Sequence, residues 1–211
     1  MNPLKNAFGK ILSAALLVAA VSMHAQAQTN DFRETTDKAL AAGSPEAVLK
    51  ALDREVYRGN LVAARALGLM YRDGGQVPQD SAKAQKLLKI AADSNLNRIW
   101  YRHGMVDAQY DLAAMLQGSN PGQAESWYRK AAESGHAPSQ LALARMYSNG
   151  AGIKRDPERA LFWSSVAATS LQDAALKEAE ALRDAAQKQL DPKQLEKTRI
   201  LLSEWKPRKA S

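Results

Sequence analysis

The chain has 211 residues, 45% of them hydrophobic and 24% charged, a balance that suits one soluble folded domain with a sizeable core. Aromatics make up only 6% while alanine abounds, which favours close-packed helices over sheets. There is no cysteine, so disulfides, thiol chemistry and attachment of a lipid at an N-terminal cysteine are all excluded.

Residues 1–27 read as a secretory signal peptide rather than as part of the fold. Lys5 and Lys10 precede the apolar run "ILSAALLVAAV", and small residues follow at Ala25 and Ala27. The run is too short to span a bilayer, which takes about 20 apolar residues. No twin arginine precedes it, so the expected route is the general secretory one, with cleavage after Ala27. The expected location is periplasmic or secreted, with no membrane span once the signal is removed. Without Lys5 and Lys10 the chain still carries more basic than acidic side chains, a formal +5 against +7 for the whole sequence. In an exported protein this speaks against nucleic acid as a partner and allows weak attraction to anionic envelope surfaces.

Residues 28–59 read as two N-terminal capping helices, "TNDFRETTDKALAAG" and "SPEAVLKALDREVYRG". Ser44 and Pro45 form a cap and first-turn pair, Gly59 is a stop, and Asn60 caps the helix that follows.

Residues 60–170 hold an internal repeat. "ALGLMYRDGG" (66–75) returns as "ALARMYSNGA" (142–151), so that Leu67, Met70, Tyr71 and Gly74 recur in register as Leu143, Met146, Tyr147 and Gly150. "DLAAMLQGSN" (111–120) is a third copy. A second phrase follows each: "KAQKLLKIAADS", "QAESWYRKAAES" and "RALFWSSVAATS". Asp80, Asn120 and Asp156 stand four positions before the shared Ala84, Ala124 and Ala160, where a short polar side chain accepts from free amides of the first helical turn. Pro121 and Pro157 follow two of these caps, as proline does at helix starts. Gly68, Ala113 and Ala144 are small enough to let paired helices approach closely. Val77 and Ile153 are the aliphatics expected to pin the glycine turns.

The unit is therefore helix, glycine turn, helix. The mean step between Leu67, Leu112 and Leu143 falls within the range of helical solenoids, about 34–47 residues per unit. The predicted boundaries are about 60–106, 107–136 and 137–170. The first repeat carries an additional stretch, "NLNRIWYRH" (95–103). The second has lost its glycine-aliphatic turn, so the path from Leu112 to Ala124 is shorter than those from Leu67 to Ala84 and from Leu143 to Ala160.

These phrases, "WYRKAAESGHA" and "MYSNGAGI" above all, resemble the Sel-1-like repeat family, relatives of tetratricopeptide repeats. The resemblance covers about residues 60–170. It implies an all-α fold, a right-handed α-solenoid of helix-turn-helix repeats with capping helices at its ends. It also implies protein binding or scaffolding, with no shared catalytic residues.

In residues 171–205 two C-terminal capping helices are expected. Leu171, Ala175, Ala179, Leu182, Ala186 and Leu190 line one face of the first. Asp191 and Pro192 start the second. Residues 206–211 read as a frayed basic tail.

Chemistry is hard to place on this frame. His103 and His136 are the histidines left after processing, and neither has a metal-ligand partner at useful spacing. Ser134 and Ser164 sit in helices without a nucleophile-elbow pattern. "NGAGIKRD" lacks the Gly-Lys-Ser/Thr ending of a phosphate loop. No catalytic, cofactor-binding or metal-binding residue is assigned, and no cofactor is expected.

Two sets of residues are candidates for partner binding. Arg98, Trp100, Tyr101 and Arg102 cluster in the additional stretch and are types enriched at interface hot spots. Leu69 and Arg145 occupy the variable place in the frame Leu-small-x-Met, with Ala114 between them, and are expected to face outward along the inner curve of the solenoid. The expected function is an exported, non-catalytic interaction module for another, envelope-associated protein. The alternative is a binder of an envelope polymer, peptidoglycan or an anionic polysaccharide.

Overall fold

A computed structural model describes residues 45–74, 77–93 and 102–208, with Pro45, Arg102 and His103 described by backbone alone. The expected signal peptide and the expected first capping helix lie outside these residues. Among the described residues there are nine helices and no strand: α1 (Pro45–Tyr57), α2 (Leu61–Asp73), α3 (Ser81–Ala92), α4 (Arg102–Leu116), α5 (Pro121–Glu133), α6 (Ala137–Asn149), α7 (Pro157–Ala168), α8 (Asp173–Gln187) and α9 (Pro192–Glu204). The chain is an all-α repeat fold. It divides into two units, the first ending at Ala108 and the second beginning at Gln109.

Local chemistry sets the helix ends. In the first unit the Asn60 side chain accepts from the amides of Val62 and Ala63, and Asp80 from that of Lys83. Gly74, with φ +68, donates its N–H to Met70 O and closes α2. The Asp80 amide donates back to Tyr71 O at 2.9 Å, and the Gln79 side chain to Arg72 O at 2.9 Å. Each feature of this turn returns in register in the second unit. Gly150, with φ +67, donates to Met146 O. The Asp156 amide donates to Tyr147 O at 3.0 Å, and the Arg155 Nε to Ser148 O at 2.9 Å. The two turns share these bonds at the same positions, while the glycines differ in ψ, −155 at Gly74 and 32 at Gly150.

The same register reaches upstream of the repeats. It relates α1 to α5 from end to end, Gly59 (φ +82) to Gly135 (φ +90), and the α2 cap Asn60 to the α6 cap His136. The buried Leu52 of α1 corresponds to the buried Tyr128 of α5. Helix α1 thus covers α2 by standing where the second helix of a repeat would stand.

Packing rests on small residues. Ala63, Ala84, Ala91, Ala113, Ala124 and Ala144 are among the alanines wholly withdrawn from solvent. Leucines fill the space between the helices, with Leu67, Leu88, Leu112 and Leu143 all at 2% exposure or less. Burying one such side chain is worth about 1.5–3 kcal/mol. At Gly68 α2 comes close to α3: a Cβ there would lie 3.0 Å from Leu88 Cγ. At the C-terminal end Leu141, Ala167 and Ala179 form a small cluster that Leu171, Ala175 and Leu182 cover, the face of α8 expected from its spacing. Helix α9 opens with a full capping box between Asp191 and Gln194.

Candidate functional site

The variable frame position does not behave uniformly. Ala114 and Arg145 are exposed, but Leu69 is buried at 8% exposure, so the expectation that it faces outward is corrected. The reason is its chemistry. A leucine gains by leaving water, and α2 packs it away with Leu67 and Gly68, whereas alanine and arginine at the same position lose little by staying wet. Leu69 belongs to the first unit and Arg145 to the second. Arg98, Trp100 and Tyr101 lie outside the described residues, and Arg102 is seen only as the first residue of α4.

Arg145 meets a partner that lay outside the sequence reading. Its guanidinium grips the Glu178 carboxylate of α8 with both arms, Nη2 to Oε2 at 2.6 Å and Nε to Oε1. The bond holds the Glu178 carboxyl below the usual carboxylate range and raises the Arg145 guanidinium. Both side chains are nearly half exposed, so the pair is screened by salt and worth no more than about 1 kcal/mol.

A concavity among the described residues lies next to the repeated turn of the second unit. It is an open cleft of about 530 Å³ lined by Glu125, Tyr147, Lys154, Arg155, Glu158 and Gln189, among others. Tyr147 is its pivot. The residue is buried at 4% exposure, its hydroxyl donates to Glu125 Oε1, and it accepts from Arg159 Nη1 at 3.1 Å. The Arg159 guanidinium also lies over the tyrosine ring, 5.3 Å from its centroid, and reaches Asp156, the α7 cap, at 3.4 Å. Glu125 is held in turn by Arg129 at 3.3 Å, and Glu158 by Lys197 at 2.6 Å.

Burial, then the Glu125 carboxylate beside it, pushes the Tyr147 hydroxyl up to about 12. Its proton is therefore held through the neutral range. The group orients Glu125 and Arg159 and is not poised to move a proton. The cleft presents fixed charges of both signs, a chemistry suited to recognition.

The repeat itself carried a signal for this cluster. Tyr71, Asp80 and Lys83 in the first unit are the repeat counterparts of Tyr147, Asp156 and Arg159. There too the cation lies over the ring, at 5.0 Å, and reaches the cap, at 3.8 Å. Residue 49, the counterpart of Glu125, is a leucine. The carboxylate on the tyrosine is what the second unit adds.

His136 has a structural place. Its Nδ1 accepts from the Ser139 amide at 3.3 Å and so caps α6, while its ring tilts against Tyr110 with centroids 5.3 Å apart. Tyr110 in turn meets Tyr128 at 5.5 Å, and the Tyr128 hydroxyl donates to Gln117 at 3.1 Å. Among the described residues no group of three or more His, Asp or Glu is arranged to hold a metal ion.

Three stretches of the chain, residues 61–96, 106–136 and 137–170, match the Sel1 repeat model. An uncharacterized protein of Neisseria meningitidis serogroup B is 30% identical over 102 residues, 48% of this chain and 20% of that protein. The alginate biosynthesis protein AlgK of Pseudomonas syringae pv. tomato is 30% identical over 151 residues, 69% of this chain and 29% of that protein. The chain thus spans less than a third of the length of either relative. Among solved structures, a protective antigen present in uropathogenic Escherichia coli strains, displaying an SLR fold, is 26% identical with a TM-score of 0.41; the match covers 82% of this chain and 43% of that one. A Sel1 repeat protein from Oxalobacter formigenes is also 26% identical, with a TM-score of 0.48 and coverage of 63% of this chain and 97% of that one.

Proposed function

Because the chain belongs to the Sel1 repeat family, we propose that it is an exported, non-catalytic scaffold that binds another protein of the cell envelope. The observation that carries this reading is the repeat itself. Three matched repeats build a fold from stacked helices, and such folds work by presenting extended surfaces. The exposed Arg145–Glu178 pair and the mixed-charge cleft at Tyr147 supply polar contacts of the kind found at interface rims. Export rests on the N-terminal pattern of Lys5, Lys10, the apolar run and Ala25/Ala27. Among the described residues no helix is long and apolar enough to cross a membrane.

A second reading, binding of an anionic polysaccharide, is favoured by the formal charge of the chain, still +5 without Lys5 and Lys10, and by a relative that is an alginate biosynthesis protein. One experiment separates the two. The mature chain is used to capture proteins from envelope extract, and is separately sedimented with purified cell wall and with alginate. The expected result is a discrete protein, captured by wild type and reduced with Arg145→Glu or with Trp100 and Tyr101 both changed to alanine, in variants whose circular dichroism and melt are intact. Sedimentation with polymer and no protein captured would replace the first reading by the second.

A further inference from the structure

We infer that the corner between α5 and α6 is a seat for an extended segment with proline followed by arginine, held in this chain by its own C-terminal tail and open to such a segment of a partner protein. The inference rests on the interaction reading above and assigns it a site.

Pro207 and Arg208 fasten the tail after α9. The Arg208 amide donates to Glu133 O at 2.7 Å. The Arg208 Nη1 reaches Glu133 Oε2 at 3.1 Å. The Pro207 ring lies over Gly135, where an added Cβ would come within 3.4 Å of it. Main chain, charge and shape thus all enter through two adjacent residues, Pro207 and Arg208.

The seat has a backbone acceptor to spare. Of the last four carbonyls of α5, Lys130 O accepts from Ser134 Oγ, Ala131 O from the amides of Ser134 and His136, and Ala132 O from the Gly135 amide and Gln140 Nε2. Glu133 O takes its donor from the tail. A helix end offers such carbonyls to any incoming N–H.

The fold does not need the tail at this corner. At the matching place in the first unit, Tyr57 and Gly59 make the same corner between α1 and α2. There, among the described residues, nothing lies within 4 Å of a Cβ added at Gly59, and Tyr57 is 94% exposed. Among the described residues that turn has no covering strap, and Pro207 and Arg208 act as a ligand of the second corner.

The occupant is also cheap to order and easy to displace. Trp205 leaves α9 with extended backbone, φ −68 and ψ 133, and proline at 207 biases Lys206 to extended conformations. Little chain entropy is lost on seating such a segment. Arg208 stays 77% exposed, so its ion pair is weak and screened, and a competing segment can take its place.

The test uses the mature chain and a fluorescent peptide with the sequence of residues 204–211, read by anisotropy at low salt. In wild type the tethered tail competes at an effective concentration in the millimolar range. Arg208→Glu opposes Glu133 and empties the seat. That variant should bind the peptide at least about fivefold more tightly than wild type. Adding Glu133→Gln to it should weaken binding again, and a peptide with alanine at the proline and arginine positions should not bind. Position 133 is partly exposed at a helix end, so its variant keeps the fold, which circular dichroism verifies. Equal binding by wild type and Arg208→Glu, or equal binding of the alanine peptide, overturns the inference. Either failure leaves the capture experiment from envelope extract unaffected.

Discussion

Changing Gly68 to alanine sets two effects of known size against each other. Alanine in a helix interior is favoured over glycine by about 1 kcal/mol. Against this, the new Cβ would sit 3.0 Å from Leu88 Cγ and 3.2 Å from both Leu88 Cδ2 and the Leu88 backbone N. Leu88 is wholly buried, so its side chain has nowhere to retreat, and the backbone atom moves only if α3 moves. Overpacking of this kind costs about 1–3 kcal/mol. The clash should win, leaving Gly68→Ala destabilised by up to ~2 kcal/mol. For a chain of this size each kcal/mol lowers Tm by about 2–4 °C. A double-mutant cycle isolates the cause. In a Leu88→Ala background the Cγ and Cδ2 contacts are gone and only the backbone contact stays, so the alanine at 68 should cost clearly less than in wild type. A rise in Tm for Gly68→Ala alone would refute the reasoning, because it would mean that α2 and α3 are not held at the distance glycine permits.

Other consequences are equally direct. Ala131→Trp and Ala167→Trp each force an indole into a wholly buried site and should cost at least ~1–3 kcal/mol; unchanged melts for both would show the repeated alanine pair to be outside the core. Tyr147 keeps its proton to about 12 in the fold but to about 10 when unfolded, so the stability it contributes is complete below pH ~10 and lost as pH rises through the folded value. Tyr147→Phe should therefore flatten the fall in Tm between about pH 10 and 12, at a cost of about 1 kcal/mol at neutral pH for its lost hydrogen bonds, and an unchanged slope would contradict the assignment. Arg145→Glu sets two carboxylates face to face and should cost about 1 kcal/mol or less at low salt and nothing at high salt, a difference that melts at two ionic strengths will read.

The helix-turn-helix frame, five of its caps and its alanine core were legible in the amino-acid sequence, whereas the capping role of His136 was not. Asn60, Asp80, Asn120, Asp156 and Asp191 bond to amides two or three positions away, and Gly74 and Gly150 to carbonyls four positions back. Interactions that close within one helical turn depend on residue type and spacing alone, so a repeated phrase reports them faithfully. The same holds for Ala131, Ala132 and Ala167, which the helical period places on a packed face.

Tertiary structure decided which exposed groups meet. Arg145 finds Glu178 on a different helix, Tyr147 of α6 finds Glu125 of α5, and the tail expected to fray bonds through Arg208 to Glu133. Leu69, read as outward because its position varies, was drawn inward by its own apolar side chain. Such pairings depend on how helices cross and where the chain returns, distances that periodicity along one helix does not contain. A repeat specifies the face each residue occupies, and only the packed helices specify what that face touches.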